Sequence, residues 1–262
     1  MNGSRIILAA HRGDRFNYPE NTMPAFESAV SLGVDMIETD VRMSKDGELV
    51  LMHDRSTLRT TGVDKNIDEM LLSEIKKLDA GCTFNHSIKA EIPTVSEFLE
   101  LIKDSGMMVN WEFKVYPDDF GTDTAFEVVD KLVKLIDEYD MVDRSMMNSF
   151  SAKVLEYIYK KYKNKFPIHG QGIYKCKRSC DSSEIDETEL FDWCCLYPNE
   201  VGHNPIEFEE NFDYCVKKGI IPCLCIPDNI EDYKKAIDYG CKMFTSNNIT
   251  EATLILSKLK AR

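Results

Sequence analysis

The sequence predicts a single α/β domain folded as a (β/α)8 TIM barrel. Short apolar segments alternate with amphipathic segments of helical period along the 262 residues, and glycines end several of the helical segments. Eight such strand and helix units predict a closed parallel barrel, and the chain length is typical of one barrel domain. We therefore expect one domain, residues 1–262, without a low-complexity linker.

The predicted elements follow from apolar runs, caps and helix stops. The eight predicted barrel strands are 6–11, 36–41, 107–114, 145–150, 168–174, 192–197, 220–226 and 243–246. The predicted helices are 22–33, 94–105, 124–139, 151–162, 206–218, 230–239 and 249–260, and an irregular helix or acidic linker covers 181–190.

A small insertion follows the second strand, at about residues 45–92. The connection from Val41 to Val50 is too short for a parallel crossover, which needs about a dozen residues. Segment 48–54 is therefore predicted to pair antiparallel with the second strand, after a turn at Lys45-Asp46-Gly47. This extension carries His53, and a short helix is expected at 71–78.

Polar side chains lie where the first three barrel strands end. Period-2 alternation places Glu38 and Asp40 on one face, and two carboxylates so close need a proton or a cation between them. His11 ends the first strand, and Glu112 and Lys114 end the third. Because reactive groups of such barrels collect at the carboxyl ends of the strands, we expect these side chains to meet near His53.

This set favours chemistry at a phosphorus centre. Three carboxylates without a cysteine suit a hard cation such as Mg²⁺ or Ca²⁺. His11 and His53 then remain as acid and base, and Arg12 and Lys114 as fixed positive charges for an anionic oxygen.

Plainer interpretations of the same residues remain open at this point. Glu38 and Asp40 could form a solvated strand edge, and Lys114 could simply neutralise Glu112. Burial of both faces of a parallel strand argues against the solvated edge. The remaining histidines, His86, His169 and His203, are expected to be structural or on the surface. The basic patch Lys175, Lys177 and Arg178 could contact substrate, but we expect it to be a solvated loop.

The amino-acid composition limits the classes of molecule that the protein is expected to bind. A net charge of −13 disfavours nucleic acid and anionic membrane as large-surface partners, but it does not exclude a small anionic substrate held by a cation and a few local basic groups. The apolar run near the N-terminus is interpreted as a strand and not a signal peptide, so we expect a cytoplasmic protein unless a leader was trimmed. No stretch is apolar enough for a transmembrane segment.

Nine cysteines indicate reduced, mostly buried thiols, without a zinc site at Cys176 and Cys180.

Short motifs in the first 115 residues or so resemble, in order and spacing, those of the glycerophosphodiester phosphodiesterase family. They are His11-Arg12-Gly13, Pro19-Glu20-Asn21-Thr22, Ala25-Phe26, Ile37-Glu38-Thr39-Asp40-Val41, Lys45-Asp46-Gly47, His53-Asp54, Arg59-Thr60-Thr61, Pro93-Thr94 and Glu112-Phe113-Lys114, with Ser149-Phe150 further on. The set is specific although no single motif is.

The resemblance implies a metal-dependent TIM-barrel hydrolase that cleaves glycerophosphodiesters to glycerol 3-phosphate and an alcohol. It implies metal ligation by Glu38, Asp40 and Glu112, an acid/base pair of His11 and His53, and substrate binding by Arg12, Lys114 and Glu20, the last of which supports the site or touches substrate.

The C-terminal half departs from the family pattern. The family's Trp-Thr-Val-Asn stretch on the seventh strand is replaced by Cys223-Leu224-Cys225-Ile226, and its Thr-Asp on the last strand by Thr245-Ser246. The wall that faces the alcohol is therefore expected to differ, and the alcohol stays open. Two alternatives remain: phospholipase-D-like action on lysophospholipids, with an apolar rim from Met70, Leu71, Leu72 and Phe84, and a barrel that binds phosphorylated ligands without turnover.

Overall fold

The computed structural model describes residues 5–84, 88–173, 178–197, 205–227 and 229–262, with the backbone alone at 205–208. It confirms the predicted barrel, in which eight parallel strands close into a ring in the order β1-β2-β4-β5-β6-β7-β8-β9. The strands are β1 (Ile7–His11), β2 (Met36–Met43), β3 (Leu49–Leu51), β4 (Met108–Phe113), β5 (Ser145–Ser149), β6 (Ile168–Gln171), β7 (Trp193–Leu196), β8 (Ile221–Cys225) and β9 (Met243–Ser246).

The short strand β3 lies outside the ring and pairs antiparallel with β2, as predicted. It is shorter than the expected segment 48–54, and His53 lies beyond its end. The chain still follows β2 there, because the Met52 amide donates to the Asp40 carbonyl at 2.9 Å. His53 is thereby held beside the end of β2.

Helices surround the ring, and most agree with the predicted segments within a few residues. They are α1 (Met23–Ser31), α2 (Leu58–Thr61), α3 (Leu72–Ile75), α4 (Val95–Ile102), α5 (Pro117–Phe120), α6 (Thr122–Glu138), α7 (Ala152–Lys161), α8 (Glu187–Leu190), α9 (Pro205–Lys218), α10 (Ile230–Asp238) and α11 (Ile249–Lys258), with 3₁₀ turns at Ile67–Glu69 and Val142–Arg144. The expected helix at 71–78 is the single turn α3, and the acidic segment 181–190 forms only α8. None of the helices within the described ranges is long and apolar enough to cross a membrane.

The barrel interior is apolar at one end and polar at the other. Ala9, Met36, Met146, Cys223 and Met243 form a buried cluster toward the amino ends of the strands. The inward positions further along β2 and β4 are the carboxylates of Glu38, Asp40 and Glu112 and the amide of Asn110, so the interior becomes polar toward the carboxyl ends. This change of polarity along the barrel axis locates the candidate site.

The insertion has an apolar core separate from that of the barrel. Its buried members are Val50, Met52, Ile67, Met70, Ile75, Ala80 and Ile92. The insertion joins α4 at Thr94, whose hydroxyl accepts from the Glu97 amide while the Glu97 carboxylate accepts from the Thr94 amide. Because Met70 lies in this core, it is not part of an exposed rim.

The structure corrects the expectation of reduced thiols at one pair, Cys195 and Cys225, which form a disulfide. Cys195 is the last residue but one of β7, and Cys225 ends the neighbouring strand β8. Their Cα atoms are 6.0 Å apart, which suits a disulfide. Four of the free cysteines in the described ranges are buried as expected, namely Cys194, Cys215, Cys223 and Cys241. Cys176 lies outside the described residues.

Candidate functional site

Three carboxylates meet at the carboxyl ends of β2 and β4. One oxygen of each of Glu38, Asp40 and Glu112 lies within 4.8 Å of the others. Asp40 and Glu112 are register partners on neighbouring strands, and all three side chains are buried. The structure therefore brings these residues together as the alternation of β2 and β4 predicted.

The electrostatics of this cluster suit a cation. Burial, with the negative charges of Asp40 and Glu112, raises the pKa of Glu38 well above its ordinary value. Burial would also raise the pKa of Asp40, but Lys114 and Arg12 hold it below its usual range. Among the described residues, Glu38 Oε1 and Asp40 Oδ1 have no hydrogen-bond partner. Asp40 Oδ1 lies 3.3 Å from the Lys114 ammonium group but accepts no hydrogen bond from it. Buried carboxylate oxygens that lack hydrogen bonds are costly, so this triad could hold a divalent metal ion.

His11 lies at the end of β1 beside the carboxylates. Its Nε2 is 3.8 Å from Glu38 Oε2, and its Nδ1 is 2.5 Å from Asn247 Oδ1. Burial, with the charges of Arg12 and Arg15, lowers the pKa of His11 to about 3. His11 is therefore a neutral imidazole. Its Nδ1 also lies 3.3 Å from Arg15 Nη1, which can only donate, so the tautomer decides which of the two contacts is a hydrogen bond. In the tautomer that donates from Nδ1 to the shorter contact, Asn247 Oδ1, the Nε2 lone pair faces the cluster.

His53 approaches from the insertion. Its Nδ1 is 2.6 Å from Asp54 Oδ1, and its carbonyl accepts from Arg42 Nε at 3.0 Å and Nη2 at 2.7 Å. Arg42 Nη1 also donates to the Lys114 carbonyl at 3.0 Å. One arginine thus joins the His53 segment to the end of β4.

An arginine cluster surrounds Glu20 at the mouth of the barrel. The Glu20 carboxylate lies 2.8 Å from Arg12 Nη1, 2.8 Å from Arg15 Nη2 and 2.6 Å from Arg59 Nη2. Burial opposes ionisation, but these three guanidinium groups lower the pKa of Glu20 to about 2. Arg12 also reaches the carboxylates, with its Nε 3.2 Å from Asp40 Oδ2.

Lys114 directly follows β4, and its side chain lies among the carboxylates. Its ammonium group contacts Glu112 and lies 3.3 Å from Asp40 Oδ1, and it sits 5.2 Å from the centre of the Phe150 ring. Burial would lower the pKa of Lys114, but Glu112 and Asp40 raise it above its ordinary value. Its side chain is therefore a permanent positive charge inside the mouth.

Three further residues of the site were not predicted from the sequence. Asn21 donates to Asp40 Oδ2 at 2.8 Å and accepts from the Thr39 hydroxyl, and Arg42 and Asn247 hold the two histidines. Each of the three left a signal in the sequence. Asn21 stands in the motif Pro19-Glu20-Asn21-Thr22. Arg42 and Asn247 continue the inward alternation of β2 and β9, two residues past Asp40 and Thr245 respectively.

The other candidate residues fall in different places. His169 is a buried core residue as expected, with Nδ1 3.0 Å from Asn110 Nδ2, and burial lowers its pKa to about 3. Arg178 is half-buried against Tyr197. The remaining candidates, His86, His203, Lys175 and Lys177, lie outside the described residues.

A closed parallel barrel whose mouth holds three buried carboxylates and a neutral histidine defines a TIM barrel with a candidate metal centre. The model of the glycerophosphoryl diester phosphodiesterase family matches residues 11–186, more than half of the sequence. The chain belongs to this family.

One relative is similar to this chain in sequence, and two solved structures are similar to it in fold. A glycerophosphodiester phosphodiesterase of Caldanaerobacter subterraneus is 42% identical over 152 residues, which span 56% of this chain and 59% of the relative. A putative glycerophosphoryl diester phosphodiesterase from Silicibacter pomeroyi superposes with a TM-score of 0.81 at 20% identity, covering 98% of this chain and 95% of its own. An Oleispira antarctica phosphodiesterase, solved in complex with the product sn-glycerol-3-phosphate, has a TM-score of 0.78 at 20% identity over 96% of both chains.

Proposed function

We propose that this protein is a divalent-cation-dependent hydrolase, formed by one domain of residues 1–262, that cleaves glycerophosphodiesters to glycerol 3-phosphate and an alcohol. The observation that carries the proposal is the convergence of Glu38, Asp40 and Glu112 beside the neutral imidazole of His11. The product bound in the Oleispira structure, in a similar barrel, supports the same class of substrate.

In this proposal Glu38, Asp40 and Glu112 hold Mg²⁺ or Ca²⁺. The bound cation supplies neutralisation of the negative charge on the phosphoryl group. Hard oxygen ligands suit either ion, and the two buried carboxylate oxygens without hydrogen-bond partners fit this role.

In this proposal each of the two histidines carries out one proton transfer. His11 Nε2 takes a proton from the attacking water, whose oxygen bonds to phosphorus while the bond from phosphorus to the alcohol oxygen breaks. His53, oriented by Asp54 at its Nδ1, gives a proton to the departing oxygen. The neutral state of His11 supports its assignment as the base.

The cations of the mouth bind the phosphoryl oxygens. We assign this role to Arg12 and Lys114, which both lie beside Asp40. Glu20 serves substrate binding by holding Arg12 in place, since three arginines surround its carboxylate.

An assay for glycerol 3-phosphate release tests the function. Purified protein is given glycerophosphocholine with Mg²⁺, with Ca²⁺ and with EDTA, alongside Glu38→Gln and the surface control Glu100→Gln. We expect activity that EDTA removes, that added cation restores, and that only Glu38→Gln loses. Full activity in EDTA would contradict the metal role, and release of a cyclic phosphate would indicate attack by a substrate hydroxyl.

Turnover by the histidine variants separates an enzyme from a binding barrel. We expect His11→Ala and His53→Ala to lose most of the wild-type rate. If wild type and both variants are equally inert on a broad panel of diesters while glycerol 3-phosphate still stabilises the fold, the barrel binds phosphorylated ligands without turnover.

A second candidate substrate class is lysophospholipids, on which cleavage would release the head-group alcohol. It is favoured by exposed apolar side chains. Leu71 and Phe84 of the expected rim are each 42% exposed, and we add Phe16, Leu58 and Val63 to the rim, at 61%, 49% and 39% exposure. The rim adjoins the arginine cluster, because Phe16 follows Arg15 and the Thr83 hydroxyl donates to the Arg59 carbonyl. Choline release from lysophosphatidylcholine, compared between wild type and Phe16→Ser, tests it; equal rates would exclude a role for the rim.

A further inference from the structure

Arg59 joins the insertion to the barrel through two carboxylates. Its Nη1 and Nη2 donate to the Glu20 carboxylate at 3.1 and 2.6 Å, and its Nε donates to Asp54 Oδ2 at 2.5 Å. Glu20 belongs to the loop after β1, whereas Asp54 belongs to the insertion. One guanidinium group therefore spans the junction between these two parts of the chain.

On the side of the insertion, the bridge leads to His53. Within the part of the chain that the structure describes, the Asp54 carboxylate has two side-chain partners, Arg59 at Oδ2 and His53 Nδ1 at Oδ1. The hydrogen bonds from His53 and Arg59 hold the pKa of Asp54 below its usual range, so both oxygens stay acceptors. Arg42 holds the carbonyl of His53 and not its ring, so the direction of the imidazole depends on Asp54.

On the side of the barrel, the bridge leads to a candidate metal ligand. Glu20 accepts from Arg12 Nη1 at 2.8 Å, and Arg12 Nε lies 3.2 Å from Asp40 Oδ2. The polar contacts thus form one continuous path of six side chains, in the order His53, Asp54, Arg59, Glu20, Arg12 and Asp40. This path ties the proposed acid to the place where the phosphoryl group is expected to bind.

The backbone of Arg59 is held at the base of the side chain. Arg59 lies in the single turn α2, next to the buried Thr60 and Thr61, and its carbonyl accepts from the Thr83 hydroxyl at 2.6 Å. The planar guanidinium donates in three fixed directions, which lets one side chain hold two carboxylates in a set geometry. A lysine at this position would supply a point charge without that geometry.

Arg55 provides a matched comparison within the same insertion. Its Nε and Nη2 donate to the two Asp68 carboxylate oxygens at 2.9 and 2.8 Å, and its side chain is 45% exposed, against 46% for Arg59. Ion pairs with this exposure contribute little to stability. The contacts of Asp68 in the described ranges do not include either histidine of the site, so the two arginines differ in what their carboxylate partners touch.

We propose that Arg59 is a positioning residue for His53: through Asp54 it directs the imidazole toward the departing alcohol oxygen, and through Glu20 it fixes that direction relative to Arg12. This inference rests on the proposed function and deepens it, because it assigns a role to a residue whose described contacts include none of the three candidate metal ligands. A proton donor that is displaced by a fraction of a bond length from the departing oxygen loses much of its effect on the rate.

The test uses two substrates that differ in their need for a proton on the departing oxygen. Cleavage of glycerophosphocholine releases an alcohol oxygen that must be protonated, whereas the p-nitrophenyl ester of glycerophosphate releases a phenolate that leaves without a proton. The quantity measured is kcat on each substrate for wild type, Arg59→Ala, Arg59→Lys and the matched control Arg55→Ala.

We expect Arg59→Ala to lower kcat on glycerophosphocholine by roughly 10- to 100-fold, with little change of KM, and to lower kcat on the p-nitrophenyl ester much less. Arg59→Lys should lie between Arg59→Ala and wild type, because it keeps the charge beside Glu20 but not the planar geometry. Arg55→Ala should keep both rates.

A double-variant cycle asks whether Arg59 acts through Asp54. If it does, adding Arg59→Ala to Asp54→Asn should lower kcat on glycerophosphocholine much less than Arg59→Ala does alone. Two full and independent losses would overturn the path through Asp54.

The remaining outcomes separate this role from the proposed function. Unchanged rates in Arg59→Ala overturn the role of Arg59 and leave the proposed function intact, and so does an equal fall on both substrates, since Arg59 would then act on the phosphoryl group or on the fold. If Arg59→Ala does not fold, the same comparison is made with Arg59→Lys, where unequal falls support the role and equal falls overturn it. No turnover of either substrate by wild type overturns the proposed function, and the role of Arg59 with it.

Discussion

Asn247 Oδ1 lies 2.5 Å from His11 Nδ1 and fixes which nitrogen of His11 faces the carboxylate cluster. The contact joins the loop after β9 to the end of β1, two strands that are neighbours in the ring. An amide oxygen accepts but cannot be protonated at neutral pH, so it orients the imidazole without adding charge.

Two substitutions of Asn247 should distinguish its effect on the orientation of the His11 imidazole from an effect on the charge of that imidazole. Asn247→Asp adds a carboxylate beside Nδ1, which favours the imidazolium and raises the pKa of His11. Because the proposed base must be neutral, the acidic limb of the pH profile of kcat/KM should move to higher pH. Asn247→Ala should instead lower kcat roughly tenfold, a typical loss for a positioning partner, with little change of the limb. An unshifted limb in Asn247→Asp would argue against His11 as the base.

Removing one carboxylate of the cluster should have opposite effects with and without cation. Three buried carboxylates repel each other, so Glu38→Gln should stabilise the metal-free protein by about 1 kcal/mol. Added Mg²⁺ or Ca²⁺ should raise the Tm of wild type and of Glu100→Gln, but not of Glu38→Gln. Thermal unfolding with and without cation measures both effects, and a Tm rise in Glu38→Gln equal to that of wild type would contradict ligation by Glu38.

Stability should fall as the pH drops from about 6.5 toward 3, since burial lowers the pKa of His11 and His169 to about 3 in the folded protein. Between these pH values the unfolded chain takes up protons on both imidazoles while the folded protein does not. Each buried histidine therefore lowers the free energy of unfolding by about 2 kcal/mol at pH 5. Urea unfolding at pH 7.5 and pH 5 measures the loss. In His169→Gln the free energy of unfolding should depend less on pH, by the contribution of one histidine, and in Lys160→Gln its pH dependence should stay as in wild type. An unchanged pH dependence in His169→Gln would refute the lowered pKa of His169.

Reduction should destabilise the protein through the Cys195–Cys225 disulfide. The bond closes a loop with a sequence separation of 30 residues. Closing a loop of that length lowers the conformational entropy of the unfolded chain, which stabilises the folded protein by roughly 3–4 kcal/mol. Urea unfolding with and without dithiothreitol should show a loss of that order in wild type and none in the double variant Cys195→Ser and Cys225→Ser. Equal stability of wild type under both conditions would count against the bond.

The sequence was most informative where function and local pattern coincide. Alternation in β2 placed Glu38 and Asp40 on one face, and the short connection after Val41 required the antiparallel turn that returns His53. Both inferences use only neighbouring residues, so a single sequence suffices. The ring order also followed, because connections between parallel strands through helices leave few alternatives.

The remaining contacts join distant parts of the chain. Arg42 bonds to His53 and Lys114, and Asn247 is 236 positions from His11, so no local pattern pairs them. The Cys195–Cys225 bond depends on two strands ending at the same height, which composition cannot show. The single turns α2 and α5 are too short to leave a helical period.

The insertion folds around its own small apolar core, and its attachment to the barrel includes the bonds of Arg42 to the His53 carbonyl. Separate cores of this kind open as cooperative units with free energies below that of global unfolding. Opening of this unit would carry one histidine of the proposed pair away while the barrel and its carboxylates stay folded. Catalytic competence is therefore expected to vanish, reversibly, at milder denaturant concentrations than those that melt the barrel.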